Sequence, residues 1–258
     1  MKNLALLLIS AGLFLHWISK GFEEKNYPSI PTGEVYKIDS SFEEIVFVED
    51  TYPGRKDKTT TRKYNDIGLP IHRGWLTSDE WKGKHLSSDK KKTFKNWKEN
   101  YMKNFIKEWK EHATEEYDLT GIPPGIIVAQ AILESNWGTS RLAKEANNFF
   151  GHKQKNKTSR AFIIAADDSP KDKFTVYESK WWCLRQHSKI LNGRYKKRLK
   201  GNTIKDWIEA LCGGNTVEES KAFVKNGGKV YATSCYKGAK CYGEKLLSII
   251  KTYNLYKK

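Results

Sequence analysis

Residues 127–152, IVAQAILESNWGTSRLAKEANNFFGH, decide how this chain is read, because they set one carboxylate, Glu134, at the end of an apolar helical run. Pro123 and Pro124 precede it and suit a first helical turn, where backbone N–H groups need no partner. From Ile126 to Leu133 the side chains are apolar nearly all round, the pattern of a buried helix. Gly138 then offers a left-handed stop. A carboxylate is rarely placed in such company without a partner, since desolvating it is costly. Burial instead raises its pKa toward the range in which it holds a proton near neutral pH. A group of that kind suits proton donation to a glycosidic oxygen, with Trp137 as a stacking wall for a sugar. The competing reading is a helix-end glutamate that points to water.

Three blocks resolve the choice. TGIPPGIIVAQAILESNWGTSRLAKEANNFFGHK (120–153) resembles the opening of the glucosaminidase domains of glycoside hydrolase family 73. FTVYES from Phe174, followed by Gln186, His187 and Ser188, resembles that family's second block. Tyr231-Ala232-Thr233 and YGEKLLSII (Tyr242 to Ile250) resemble its close. The resemblance spans about residues 101–256 and implies an α+β, mostly helical, lysozyme-like fold with a small β-hairpin lobe flanking a substrate cleft. It also implies peptidoglycan glycan strands as substrate and Glu134 as catalytic acid.

Glycosidic cleavage usually needs a second group. The hairpin offers Asp167, Asp168 and Asp172, of which Asp168 is favoured and Asp167 follows, against a reading in which these aspartates only build the turn with Ser169 and Pro170. Attack by the substrate's own 2-acetamido group is the alternative, and Tyr231, which matches the family's functional tyrosine, would then orient that group. Trp137, Phe149, Phe150, Tyr177 and Asp167 are the candidates for lining sugar subsites, although each aromatic suits a core equally. His152 is a weaker substrate candidate, and His187 is expected to be structural.

The remaining elements follow from spacing. Phe94, Trp97, Tyr101, Phe105, Trp109, Ala113 and Tyr117 recur every three or four residues and predict a long amphipathic helix. Strands are expected at 160–166 and 174–177 around a DDSPKD turn, with helices over 180–191, 203–212, 216–226 and 242–253. Thr216 with Glu219 forms a capping box.

At the N-terminus, Lys2 followed by LALLLISAGLFL reads as an export leader or a membrane anchor over residues 4–18, short for a stable span. The chain thus divides into 1–20 leader or anchor, 21–92 polar extension and 93–258 catalytic domain, with His72, Trp81 and His85 as surface or local packing residues. An exported protein, periplasmic or extracellular, follows. Four cysteines fit that compartment. Cys235 with Cys241, closing the loop SCYKGAKC where the chain departs from the family, and Cys183 with Cys212 are the preferred pairs. No CxxC or nearby histidine pair suggests a metal, and glycosidic hydrolysis requires no cofactor.

Residues 21–50 carry eight acidic against two basic side chains, so the rest of the chain is more basic than the overall +16. Such a surface attracts polyanions: anionic wall polymers, peptidoglycan carboxylates or a membrane surface. Thirteen tyrosines and nine tryptophans would also stack on bases, but the leader and the even cysteine count argue against nucleic acid. Two other readings stay open: a muramidase or lytic transglycosylase on the same fold, and a non-catalytic wall-binding module. Oligomeric state is not legible.

Overall fold

The computed structural model describes residues 63–71, 75–154, 161–165, 167, 171–237 and 241–256. The expected leader, most of the acidic extension, His72 and Asp168 lie outside the described residues. Among the described residues the architecture is α+β and mostly helical, with one two-stranded antiparallel sheet.

A short α1 (Ser78–Trp81) starts on a capping box in which Thr77 and Glu80 exchange side-chain-to-backbone hydrogen bonds. The long α2 (Ser88–Thr120) carries the aromatic stripe and buries Phe94, Phe105, Trp109 and Ala113 on one face. Gly121 ends it in the left-handed conformation. The apolar run becomes α3 (Pro124–Ser135), with every residue from Pro124 to Ile132 buried. This helix is the centre of the molecule, packed by α2 and by two later helices, α6 (Ile204–Cys212) and α8 (Tyr242–Thr252). Because neighbours surround it, no polar face is left to show a simple amphipathic pattern.

α3 stops three residues before Gly138. Asn136, Trp137 and Gly138 all take positive φ, and the Ser135 hydroxyl accepts the Gly138 N–H at 2.6 Å. A Cβ on Gly138 would meet the rings of Phe149 and Phe105 at 2.9 and 3.0 Å, so both space and backbone require glycine there. α4 (Arg141–Ala146) follows, capped by Ser140.

The hairpin pairs β1 (Phe162–Ala165) with β2 (Asp172–Thr175), Ile163 opposite Phe174. The second strand begins two residues earlier than its sequence suggests. The Val176 N–H still donates to the Ala161 carbonyl in the same register, and the chain leaves the hairpin at Tyr177, whose N–H donates to the Ala146 carbonyl. α5 (Lys180–Tyr195), a 3-10 turn at Lys196–Arg198, α6, α7 (Val217–Lys225) and a 3-10 turn at Thr233–Cys235 lead to α8. The capping box of Thr216 and Glu219 is present as expected. In α8 the core face is Leu246 and Ile250, while Leu247 is exposed.

Two expectations need correction. Residues 75–86, assigned by composition to a polar extension, contribute Trp75, Leu76, Trp81 and Leu86 to the buried set. Trp81 stacks on Trp137 and takes the Lys98 ammonium over its face at 4.5 Å. The cysteine pairing also differs: Cys212 joins Cys235, across 23 residues, and Cys183 and Cys241 are buried thiols. The chain returns from α7 to dock beside the end of α6, where the Tyr231 N–H donates to the Leu211 carbonyl. Cys235 is thereby delivered to Cys212, with Cα atoms 5.2 Å apart. Cys183 lies under the Phe149–Phe150 backbone, where burial pushes its thiol up to about 12.

Candidate active site

Glu134 occupies the last turn of α3, one residue before the helix stops. The apolar run does not bury it; its side chain is exposed, open to solvent on one side and crowded by protein on the other. That crowding raises its pKa above the ordinary carboxylate value, opposed by a hydrogen bond from Tyr242 and by the Lys245 charge. The Tyr242 hydroxyl donates to Glu134 Oε1 at 2.6 Å from the first residue of α8.

Tyr231 stacks on Tyr242 with ring centroids 5.2 Å apart. Burial and the nearby Glu134 charge push both phenols well above their ordinary value, so both are neutral donors at neutral pH. Tyr231 is therefore placed one ring from Glu134.

Behind the carboxylate a line of polar side chains crosses the core. Gln130, one helical turn before Glu134, places Nε2 3.2 Å from the Tyr242 hydroxyl and Oε1 3.1 Å from His187 Nε2. His187 Nδ1 lies 3.1 Å from His152 Nε2, and His152 Nδ1 lies 2.8 Å from the Tyr177 hydroxyl. His187 also stacks flat on Phe150, at 3.7 Å between centroids. Burial holds His152 down to about 4 and His187 well below its ordinary value, so both rings are neutral. Asn148 fixes the loop that carries His152 through hydrogen bonds to the His152 and Thr175 carbonyls.

The other expected site residues lie elsewhere. Trp137, Phe149, Phe150 and Tyr177 are no more than 8% exposed and belong to the core, so they have little surface to offer a sugar. Trp137 packs between Trp81, Phe105 and Tyr253. Asp167 is exposed and pairs with Lys153 at 3.0 Å, and Asp172 pairs with the same lysine at 2.9 Å. Two cavities, of about 220 Å³ beside Tyr101 and Trp109 and about 460 Å³ beside Pro124 and Leu255, do not include Glu134, which faces open surface. No group of three or more His, Cys, Asp or Glu among the described residues is arranged to hold a metal ion.

Sequence reasoning missed Tyr242 as the partner of Glu134 and Gln130 as the residue behind Tyr242. The signal for Gln130 was present: two polar residues four apart on an otherwise apolar helix share a face. Tyr242 and His187 join through contacts 108 and 57 residues apart in sequence, which no local pattern encodes.

The family model for glucosaminidase, described as mannosyl-glycoprotein endo-beta-N-acetylglucosaminidase, matches residues 110–255, more than half of the chain. The chain belongs to this family. The exo-glucosaminidase LytG of Bacillus subtilis (strain 168) is 30% identical to this glucosaminidase over 153 residues, 58% of this chain and 51% of LytG. Protein bax of Escherichia coli (strain K12) is 33% identical over 91 residues, 34% of this chain and 32% of bax. The chain thus spans about half the length of LytG and a third of bax. Among solved structures, an N-acetylmuramoyl-L-alanine amidase from Staphylococcus aureus aligns at 27% identity, covering 60% of this chain and 43% of its own, with a TM-score of 0.45. The glycoside hydrolase domain of Salmonella typhimurium FlgJ aligns at 24%, covering 59% of this chain and 88% of its own, with a TM-score of 0.39.

Proposed function

We propose that this glucosaminidase hydrolyses peptidoglycan glycan strands after N-acetylglucosamine, acting within the strand, with Glu134 as general acid. The observation that carries the reading is a single exposed carboxylate, raised in pKa by its surroundings and held at one oxygen by Tyr242, within the matched family segment. Protonated, it delivers its proton to the glycosidic oxygen as the bond to the anomeric carbon breaks. Stabilisation of the sugar is assigned to the 2-acetamido group oriented by Tyr231, because Tyr231 stands beside Tyr242 whereas Asp167 and Asp172 share Lys153. Asp168, which falls between the two strands in sequence, remains the alternative second carboxylate, and Asp168→Asn slows turnover only in that version.

The name of LytG supports chain-end action as the second reading. Digestion of purified peptidoglycan, borohydride reduction of the new ends and mass spectrometry test both. Reduced N-acetylglucosamine on fragments of many lengths supports internal cleavage, and release of terminal units alone supports chain-end cleavage. Muramic acid ends would refute the linkage assigned here. Absence of fragments with binding intact would make the protein a wall-binding module. Glu134→Gln should bind the wall and lose turnover by about 10²–10⁴-fold, the usual worth of a positioned acid.

An exported location, periplasmic or extracellular, goes with that substrate, and tethering through residues 4–18 is part of the proposal. No helix among the described residues is long and apolar enough to cross a membrane. The basic charge supports attraction to anionic wall polymers or a membrane surface.

A further inference from the structure

The line of side chains behind Glu134 has a direction, and one rule of chemistry sets it. An ionised carboxylate oxygen accepts hydrogen bonds and cannot donate. Tyr242 therefore spends its only proton on Glu134 Oε1 and must accept from its other polar neighbours, Tyr231 and Gln130. Gln130 then has to present its amide nitrogen to Tyr242 and its oxygen to His187. His187 must then carry its proton on Nε2, leaving Nδ1 as an acceptor for a proton on His152 Nε2. His152 Nδ1 is left to accept from the Tyr177 hydroxyl. Every donor from Tyr177 onward points toward Glu134.

Reversing the line would require turning the Gln130 amide and moving the proton on both imidazoles. Gln130 and His187 are fully buried, with no solvent to satisfy a mispaired amide or ring during the change. A reversed line would also have Glu134 Oε1 donate to Tyr242, which would turn the carboxylic proton into the protein and away from the exposed side.

We propose that Gln130, His187 and His152 are positioning residues that lock Tyr242 as a donor to Glu134 Oε1 and so reserve Oε2 for the proton given to substrate. The proposal rests on Glu134 being the acid and explains which of its oxygens does the work. After transfer, the carboxylate keeps the same donor on Oε1, so no group in the line has to turn between the acid and its conjugate base.

The first test needs no variant. In the full chain labelled with ¹⁵N-histidine, two-bond ¹⁵N–¹H correlation spectra at pH 6 should show His152 and His187 as neutral Nε2–H tautomers. An Nδ1–H or a charged ring at either position would overturn the proposal. The second test uses soluble, uncross-linked glycan strands as substrate. Gln130→Met and His187→Phe, which keep volume but break the line, should lower kcat about tenfold with KM within about twofold. Gln130→Met/Tyr242→Phe should be no slower than Tyr242→Phe alone. Unchanged kcat in Gln130→Met, or fully additive losses, would overturn the line. Glu134→Gln separates the two layers: if it keeps turnover, the acid assignment falls and this proposal with it. If it is inactive while Gln130→Met is normal, only the line falls.

Discussion

Tyr242 acts on Glu134 in two ways that pull a pH profile in a known direction. Its hydrogen bond favours the carboxylate and lowers the Glu134 pKa against the raising effect of the surroundings. Removing it in Tyr242→Phe leaves the acid protonated to higher pH, so the alkaline limb of kcat/KM should move upward. The rate at the optimum should fall about tenfold, near 1.4 kcal/mol of lost transition-state stabilisation. Lys245 on the same helix opposes part of that movement because its charge also favours the carboxylate. A limb that stays in place would separate Tyr242 from the acid. His187 gives a second, independent expectation. Its pKa and that of His152 are depressed by burial, so in acid the unfolded chain binds protons that the folded chain refuses. Stability is therefore lost as pH falls from about 6.5, the unfolded value, toward the folded value of about 4 at His152, at up to about 1.4 kcal/mol per pH unit for each histidine. Raised carboxyl groups at Glu116 and Glu134 work in the opposite sense, so urea unfolding should be compared between wild type and His187→Phe. The stability difference between them should shrink between pH 7 and pH 5. Glu134 was legible from sequence because a carboxylate stands out against Ile126–Leu133, whereas its exposure was not, since an apolar run does not say which turn of the helix meets solvent.

At the scale of elements, spacing located the helices well and their partners poorly. The stripe from Phe94 to Tyr117 and the box of Thr216 and Glu219 are local patterns, and both elements are present. The cysteine pairing was not legible, because it depends on the loop after α7 returning to the end of α6. Trp81 was read as a surface or local packing residue for a similar reason: its neighbour Trp137 is 56 positions away and projects from a three-residue left-handed turn. These contacts carry stability. The Cys212–Cys235 bridge closes a loop that, by chain entropy, contributes about 3 kcal/mol. Reducing agent should lower the melting temperature by several degrees in wild type and in Cys183→Ala, and not in Cys212→Ala/Cys235→Ala. Peptide mapping should recover Cys212 joined to Cys235. A Cys235–Cys241 peptide as the main product would reject the pairing described here. Trp137→Ala should cost about 3–5 kcal/mol of unfolding free energy, the range for emptying an aromatic core site. A sugar-stacking tryptophan would instead raise KM with stability nearly unchanged.

For the whole molecule, charge and fold act on different ranges. The core around α3 holds Glu134 through direct packing of its helix, whereas a net charge of +16 acts over a Debye length, about 8 Å at physiological salt. The exposed lysines are solvated and add little to stability as isolated pairs; Lys153 with Asp167 and Asp172 is an example. Their effect is on association, where summed charge raises the local concentration of a polyanionic substrate. Composition alone made that legible, because net charge does not depend on the fold. It could not say which polyanion is met. Glu134→Gln allows binding to be measured without turnover. Its binding to sacculi should weaken several-fold between 50 mM and 500 mM salt, as the Debye length shortens below the spacing of surface charges. Stripping covalently attached anionic polymers from the sacculi while leaving the glycan intact divides the two contributions. A salt-dependent loss on stripping assigns the attraction to those polymers. Equal binding before and after assigns it to the peptidoglycan carboxylates, and binding indifferent to salt would mean that the basic surface plays no part in finding the wall.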